Sequence, residues 1–184
     1  MEEKSTYWRS AMTYGLYLGI ALILYNMIVY ALGQNLNPAL AWINYALIAA
    51  GVIYSQINYR NRDLDGYISY GKALGFGVAV MVCAGLLQSL YSVILFKYID
   101  PSLLDQLRTM QEEEMLKQGI AEDQIETMSE MMNNVQSPLF IAISGLFGFA
   151  LFGFIISLIT SVFVKRANDD FAFDDAMEEV KKEE

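Results

Sequence analysis

The feature that most constrains this chain is an uncharged apolar stretch near its middle. Residues 73–96 read ALGFGVAVMVCAGLLQSLYSVILF and contain no Asp, Glu, Lys or Arg. As a helix rising about 1.5 Å per residue, the stretch is roughly 36 Å long, whereas the hydrocarbon core of a bilayer is about 30 Å thick. The segment that follows is rich in acidic residues and belongs in water. We therefore predict that residues 73–96 cross a membrane.

Three further apolar stretches complete the pattern. We expect membrane spans at residues 11–32, 39–57 and 139–164 in addition to 73–96. Hydrophobic residues make up 55% of the 184 residues, and they are concentrated in these blocks. An ordinary soluble domain has about 45–50% apolar residues, spread along the chain. The predicted fold class is therefore all-α, an integral membrane four-helix bundle.

Lys and Arg are distributed unevenly among the polar segments, and this asymmetry predicts the topology. Residues 1–10, 58–72 and 165–184 together hold nine of these residues, residues 97–137 hold three, and residues 33–38 hold none. Positively charged residues concentrate in cytoplasmic loops. We therefore predict a cytoplasmic N-terminal cap (1–10), a cytoplasmic loop (58–72), an acidic cytoplasmic tail (165–184) and an exported segment (97–137).

The exported segment is expected to form an amphipathic helical hairpin. Apolar residues recur at helical spacing on both sides of Gly119, with acidic residues between them. Four methionines contribute to the apolar faces: Met110, Met115, Met128 and Met132. Thioethers can bind copper(I), but Leu and Ile share these faces, so we interpret the methionines as an adaptable surface for docking a partner. The acidic residues lack the spacing of a calcium-binding loop.

Most enzyme classes are disfavoured by what the sequence lacks. The chain has no histidine and a single cysteine, Cys83, which excludes histidine-based nucleophile pairs, an intrachain disulfide and a cysteine metal cluster. The predicted spans contain no ionisable Asp, Glu, Lys or Arg of the kind that marks proton relays and ion pathways. We therefore expect a non-enzymatic protein without a metal or cofactor.

A few polar side chains lie within the predicted spans, and they support two interpretations. Asn26, Asn44 and Gln88 are amides at membrane depth, and Ser92 follows Gln88 by one helical turn. Such groups commonly form interhelical hydrogen bonds, which is the interpretation we favour. Alternatively, they line a polar path through a small transporter or channel.

Small residues at four-residue spacing predict close packing of the helices. Small side chains let neighbouring helix backbones approach each other in lipid, where no hydrophobic drive brings helices together. The candidate packing residues are Gly15, Gly19, Gly71, Gly75, Gly153 and Ser157. Besides the lipid bilayer, the expected partners are a second copy of the chain or another membrane protein. No nucleic-acid partner is expected.

Three short motifs carry a resemblance to a known family. They are YGKALGFG at residues 70–77, GLL at 85–87 and FKYIDP at 96–101. With the four-span layout and the Glu- and Met-rich third loop, the chain resembles the bacterial membrane proteins known as domain of unknown function 4199 (DUF4199). The resemblance implies a four-span architecture in a bacterial cytoplasmic (inner) membrane. Because that family has no established activity, it assigns no functional residue.

Two functional hypotheses follow. The first is a non-enzymatic structural or interaction component of the bacterial cytoplasmic membrane, favoured by the missing catalytic groups and the methionine face. The second is a small transporter or channel in which Asn26, Gln88 and Ser92 line the polar path. Neither hypothesis identifies a ligand.

Overall fold

The fold comes from a computed structural model, and the structure describes residues 2–35, 37–121, 123–125, 127–128 and 137–166. The described helices are α1 (Glu2–Ala31), α2 (Pro38–Asp63), α3 (Tyr70–Ile94), a π-helical turn (Leu95–Ile99), α4 (Ser102–Lys117) and α5 (Pro138–Val164). Within these residues, four helical segments are long and apolar enough to cross a membrane: Thr6–Ala31, Pro38–Asp63, Tyr70–Ile99 and Pro138–Val164. The all-α, four-span fold class is confirmed. The exported position of the hairpin stays a prediction.

Three of the long helices begin with a polar side chain that accepts a hydrogen bond from the first turn. Asn37 accepts from the amide of Ala39 at 3.0 Å, and Ser137 accepts from the amide of Phe140 at 3.2 Å. Each of these caps is followed by a proline, which suits the first helical position because it has no amide hydrogen to satisfy. Ser69 caps α3 in the same way. The helix starts are therefore set by local sequence.

The helices continue further than the predicted spans. Residues 58–63 and 70–72, which the sequence analysis placed in a loop, belong to α2 and α3. Gly51 lies inside α2 without ending it, and the chain reverses only at Asp65 and Gly66, which have φ angles of 51° and 90°. The connection between α2 and α3 is thus only residues 64–69. The predicted N-terminal cap is likewise helical from residue 2 onwards.

Helix α3 lies at the centre of the bundle and packs mainly against α1 and α5. Five of its side chains are fully buried: Ala73, Phe76, Val80, Met81 and Ala84. At one end of the bundle, the rings of Phe76 and Tyr59 stack with centroids 4.0 Å apart, and Tyr7 of α1 meets both rings edge to face. This aromatic cluster joins α1, α2 and α3.

The close helix contacts involve some of the predicted small residues and omit others. A side chain at Gly15 would meet Cys83 and the carbonyl oxygen of Val80, the latter at 2.8 Å. Side chains at Gly19 and Gly153 would lie 2.6 Å from Leu87 and 2.5 Å from Met81. These glycines let α1 and α5 approach α3.

Two predicted packing glycines make no such contact. Nothing lies within 4 Å of the Cβ position of Gly71, and only the hydroxyl of Tyr7 comes within 3.4 Å at Gly75. The close contact of α3 with Ser157 falls instead at Gly77, which is fully enclosed. Within one chain, the close contact of α3 is therefore at Gly77, because four-residue periodicity does not determine which side of an apolar helix faces its neighbours.

Backbone hydrogen bonds tie the connection between α2 and α3 to the end of α5. The amide of Ile68 donates to the carbonyl of Arg166 at 3.1 Å, and the amide of Arg166 donates back at 3.0 Å. The guanidinium of Arg60 donates to the carbonyl of Val164 at 2.9 Å. The α2–α3 connection and the end of α5 therefore lie at the same end of the bundle. The start of α1 lies there too, because the hydroxyl of Ser10 donates to the carboxylate of Asp63 at 2.9 Å.

Candidate functional site

A polar cavity lies at the opposite end of the bundle, where α1 ends and α2 begins. Its volume is about 330 Å³. Helices α1 to α5 all contribute to its wall, and the lining residues are Asn26, Asn35, Asn44, Gln88, Tyr91, Ser92, Leu95, Phe96, Leu103, Leu107 and Phe149. Asn26 is five residues from the end of α1 and Gln88 eleven residues from Ile99, so these side chains lie roughly 8–17 Å below the helix ends.

The four polar residues singled out from the sequence meet at this cavity. Asn26 comes from α1, Asn44 from α2, and Gln88 and Ser92 from one face of α3. The hydroxyl of Ser92 donates to the carbonyl of Gln88 at 2.9 Å, so this hydroxyl is held against its own helix. The cavity therefore gathers polar side chains from three separate helices.

The amide oxygens of Asn44 and Gln88 lack hydrogen-bond donors. Both oxygens are shielded from water, and no donor reaches either of them in the part of the chain that the structure describes. The interhelical hydrogen bonds expected from the sequence are therefore not formed by these two oxygens. An unpaired buried carbonyl oxygen costs about 1–3 kcal/mol. The terminal torsions of Asn and Gln are broad, so a side-chain rotation can turn each amide towards a molecule in the cavity.

Helix α4 closes one side of the cavity. Leu103 and Leu107 line it, and Leu103 is 5% exposed. The helix starts where the carboxylate of Asp100 accepts hydrogen bonds from the amide and the hydroxyl of Ser102, at 3.1 and 2.5 Å. These bonds, those from Ser102 above all, hold the pKa of Asp100 below its usual value. The hydroxyl of Tyr30 donates to the same carboxylate at 3.3 Å, linking the end of α1 to the start of α4.

The predicted methionine face lies apart from the cavity. Met110 and Met128 are exposed and Met115 is half-buried, and none of the three lines the polar cavity. Met132 lies outside the described residues, as does most of the second helix predicted for the hairpin. Within the described residues, no group of three or more His, Cys, Asp or Glu side chains is arranged to hold a metal ion.

Comparison with known proteins assigns the chain to a family. The profile of the family described as "Protein of unknown function (DUF4199)" matches residues 13–166. The chain belongs to this family. The matched region includes every residue that lines the polar cavity, and the resemblance seen in the sequence motifs is confirmed. No curated protein and no solved structure matches the chain.

The DUF4199 region contains a second polar cluster that the sequence analysis missed. Gln56 of α2 is fully buried, and its amide nitrogen donates to the carbonyl of Ala73 at 3.0 Å and to the hydroxyl of Ser161 at 3.2 Å. Gly77 packs closely against both this amide and the side chain of Ser157. The cluster joins α2, α3 and α5 through the amide nitrogen of Gln56, whereas the amide oxygen of Gln56 and the hydroxyl of Ser157 have no hydrogen-bond partner among the described residues. Two features of the sequence could have pointed to this cluster: a glutamine just inside the second predicted span, and a Ser-rich turn in the segment that forms α5.

The two polar clusters of this DUF4199 chain differ in what surrounds them. At Gln56 the neighbouring helices are so close that a Cβ atom on Gly77 would lie 2.6 Å from the amide nitrogen. At Gln88 the amide borders about 330 Å³ of space. A water molecule in the liquid occupies about 30 Å³, so the volume of this cavity equals that of about ten water molecules. The cavity at Gln88 is therefore the candidate site for a ligand, whereas the cluster at Gln56 packs the helices together.

Proposed function

We propose that this protein is a non-enzymatic, multi-pass component of a bacterial cytoplasmic membrane that binds a small molecule in its polar cavity. One observation carries the proposal. Uncharged polar side chains from α1, α2 and α3 converge on a single cavity, and the carbonyl oxygens of Asn44 and Gln88 have no donor among the described residues. After these side chains rotate towards the cavity, a ligand with hydrogen-bonding groups can donate to the two oxygens and relieve the cost of leaving them unpaired.

The lining supports binding rather than catalysis. It contains no Asp, Glu, Lys or Arg, and the chain has no histidine, so the groups most used for proton transfer are missing from the cavity. Amides and a serine hydroxyl orient a ligand by hydrogen bonds without activating it. Of the two hypotheses from the sequence, the cavity favours the class that includes transporters over a purely structural role.

The core next to the cavity favours a closed binding site over an open pore. Leu22, Val52 and Val80 are buried and fill the centre of the bundle between the polar cavity and the aromatic cluster at Tyr59. An open channel needs a continuous polar or water-filled route, which this packed apolar layer interrupts. We therefore propose a binding protein or a carrier that must change conformation to move its ligand.

The proposed orientation places the polar cavity at the outer face of the membrane. Arg60, Arg62, Lys165 and Arg166 lie at the other end of the bundle, and the positive-inside rule assigns that end to the cytoplasm. Both termini are then cytoplasmic, and α4 lies on the exported side with the cavity beneath it. In this orientation, the ligand enters from the outer leaflet or from the space outside the membrane.

Native mass spectrometry tests the binding function. The protein is purified in detergent, incubated with a small-molecule and lipid extract of the expressing cells, and examined for bound masses. We expect adducts on the wild type that are lost from the double variant Asn44→Leu/Gln88→Leu. Asn58→Leu is the matched control, because the amide of Asn58 bonds to Tyr54 within α2 and does not line the cavity. Identical adducts on the wild type and the double variant, or no adduct on either, would contradict the proposal.

A further inference from the structure

A separate apolar groove runs between α1 and α2. Its volume is about 330 Å³, and it shares no lining residue with the polar cavity. The lining residues lie between positions 14 and 22 of α1 and between positions 47 and 55 of α2, so this α1–α2 groove extends over about 12 Å of each helix. Leu18 of α1 packs against Gly51 of α2 at its base.

The α1–α2 groove suits a hydrocarbon chain. Apart from three tyrosines and Ser55, its lining side chains are aliphatic or absent, and the Ser55 hydroxyl already donates to the carbonyl of Val52 at 2.7 Å. Tyr17 and Tyr54 line the groove from the two helices and are 61% and 60% exposed. Both lie in segments that can cross a membrane, so the groove opens towards the lipid.

Two opposite charges lie at one end of the α1–α2 groove, at the last two residues of α2. The ring of Tyr14 lines the groove, and its hydroxyl is near both the guanidinium of Arg62 and the carboxylate of Asp63. The same carboxylate accepts a hydrogen bond at 2.9 Å from the hydroxyl of Ser10, which is one helical turn before Tyr14. Tyr14 therefore connects the apolar groove to the charged pair.

Both charges are available to a bound molecule. Arg62 and Asp63 are exposed, and neither forms a salt bridge with another residue that the structure describes. A guanidinium pairs well with a phosphate, and a carboxylate accepts hydrogen bonds from a primary ammonium group. A head that carries only negative charge would attract Arg62 and be repelled by Asp63. A head with a phosphate and an ammonium group complements both side chains.

From this arrangement we propose that the α1–α2 groove binds a membrane lipid with a phosphoethanolamine head. An acyl chain lies in the groove beside Leu18 and Ala50, the phosphate pairs with Arg62, and the ammonium group pairs with Asp63. The lipid belongs to the leaflet at the Arg62 end of the bundle, whereas the polar cavity lies towards the other end. The inference is therefore independent of the proposed function of that cavity.

Native mass spectrometry with defined lipids tests the head group. The detergent-solubilised protein is titrated with dioleoyl phosphatidylethanolamine, phosphatidylcholine or phosphatidylglycerol, which share the same chains. An exposed ion pair changes an affinity by up to about fivefold. We expect phosphatidylethanolamine to bind about threefold more tightly than either other lipid. The methylated ammonium of phosphatidylcholine has no hydrogen to donate to Asp63, and phosphatidylglycerol has no ammonium group.

Two charge variants test the position of the head. Asp63→Asn removes the charge and keeps an oxygen that can accept from Ser10, so it should abolish the preference for phosphatidylethanolamine over phosphatidylglycerol. Arg62→Gln should weaken the binding of all three lipids about threefold, because each has a phosphate. Lys165→Gln removes an exposed cation at the same end of the bundle, beyond the lining of the groove, and should change neither quantity.

A larger side chain in the groove tests the position of the acyl chain. Ala50 lines the groove and is exposed, so Ala50→Leu should be tolerated by the fold and take up space that the chain needs. We expect about fivefold weaker binding of all three lipids. Ala46→Leu is the matched control, because Ala46 is exposed one turn earlier in α2 and does not line the groove.

Each part of the proposal has an outcome that overturns it. Phosphatidylglycerol binding as tightly as phosphatidylethanolamine to the wild type rejects the phosphoethanolamine head, and an unchanged preference in Asp63→Asn rejects its position. Unchanged lipid binding in Ala50→Leu rejects the groove as the site of the chain. Asn44→Leu/Gln88→Leu should retain the preference for phosphatidylethanolamine, and its loss in that variant would place the lipid in the polar cavity instead.

Discussion

Replacement of Gly77 by alanine tests how closely α2, α3 and α5 pack around Gln56. The new Cβ atom would lie 2.6 Å from the amide nitrogen of Gln56 and 3.0 Å from the Cβ of Ser157, and closer still to the Ser157 hydroxyl oxygen. The Ser157 hydroxyl and the Gln56 side chain must both move, or the helices must separate. A shift of Gln56 or of the helices disturbs the hydrogen bonds of Gln56 to Ala73 and Ser161.

The expected loss of stability is the balance of three terms. Overpacking costs about 1–3 kcal/mol, and weakening a buried hydrogen bond adds about 1 kcal/mol. Alanine is a better helix former than glycine by about 1 kcal/mol, which offsets part of the loss. We therefore expect Gly77→Ala to lower the free energy of unfolding by about 1–3 kcal/mol.

Unfolding of the detergent-solubilised protein by sodium dodecyl sulfate, followed by circular dichroism, measures this change. Gly71→Ala is the matched control in the same helix, because nothing lies within 4 Å of its Cβ position, and it should be neutral or slightly stabilising. Ser157→Ala removes the hydroxyl closest to the new methyl group, so combining it with Gly77→Ala should recover part of the loss. Gly77→Ala unfolding at the same detergent fraction as the wild type would refute the close packing of α2, α3 and α5.

Three further predictions concern topology and the attachment of α4. The topology is tested in intact cells with Cys83→Ala as the background. Glu113→Cys should react with a membrane-impermeant maleimide, and Asn61→Cys should not. The reverse labelling pattern would overturn the proposed orientation. Tyr30→Phe removes the hydrogen bond from the Tyr30 hydroxyl to Asp100 and should speed amide hydrogen exchange in α4. Tyr25→Phe is the control: it removes the hydrogen bond from the Tyr25 hydroxyl to the carbonyl of Leu40 in α2 and should leave exchange in α4 unchanged. Because the pKa of Asp100 is lowered in the folded state, its carboxylate stabilises the start of α4 above the unfolded pKa, near its usual value of 3.8, and this contribution is lost as the pH falls through the lowered pKa. The protection factors of the α4 amides, which are corrected for the pH dependence of intrinsic exchange, should therefore fall in acid for the wild type and show no such step in Asp100→Asn.

The number of spans and the starts of α2 and α5 could be predicted because both depend on local chemistry. A stretch of about twenty uncharged apolar residues prefers a bilayer to water whatever its neighbours are, and a Ser or Asn before a proline caps a helix by itself. The end of α2 and the start of α3 were less accessible to prediction. A helix can leave the membrane and continue through charged residues, so the charges at 58–63 did not mark its end.

The polar residues of the candidate site could be identified in the sequence, but their meeting could not. Asn26, Asn44 and Gln88 stand out because amides are costly in lipid, and this cost depends on the residue and its depth alone. Gln56 was overlooked because it lies near the predicted end of its span, where an amide can reach water.

What the sequence by itself determined is the chemistry of each segment: four apolar stretches, their order, and the amides within them. What only the tertiary structure decided is which side of each helix faces the others. A helix that is apolar on all sides carries no amphipathic stripe to orient it, so its rotation about its axis depends on how its side chains fit those of its neighbours. That fit brings Gly77 against Ser157, leaves Gly71 in open space, and places Asn44 and Gln88 around one cavity.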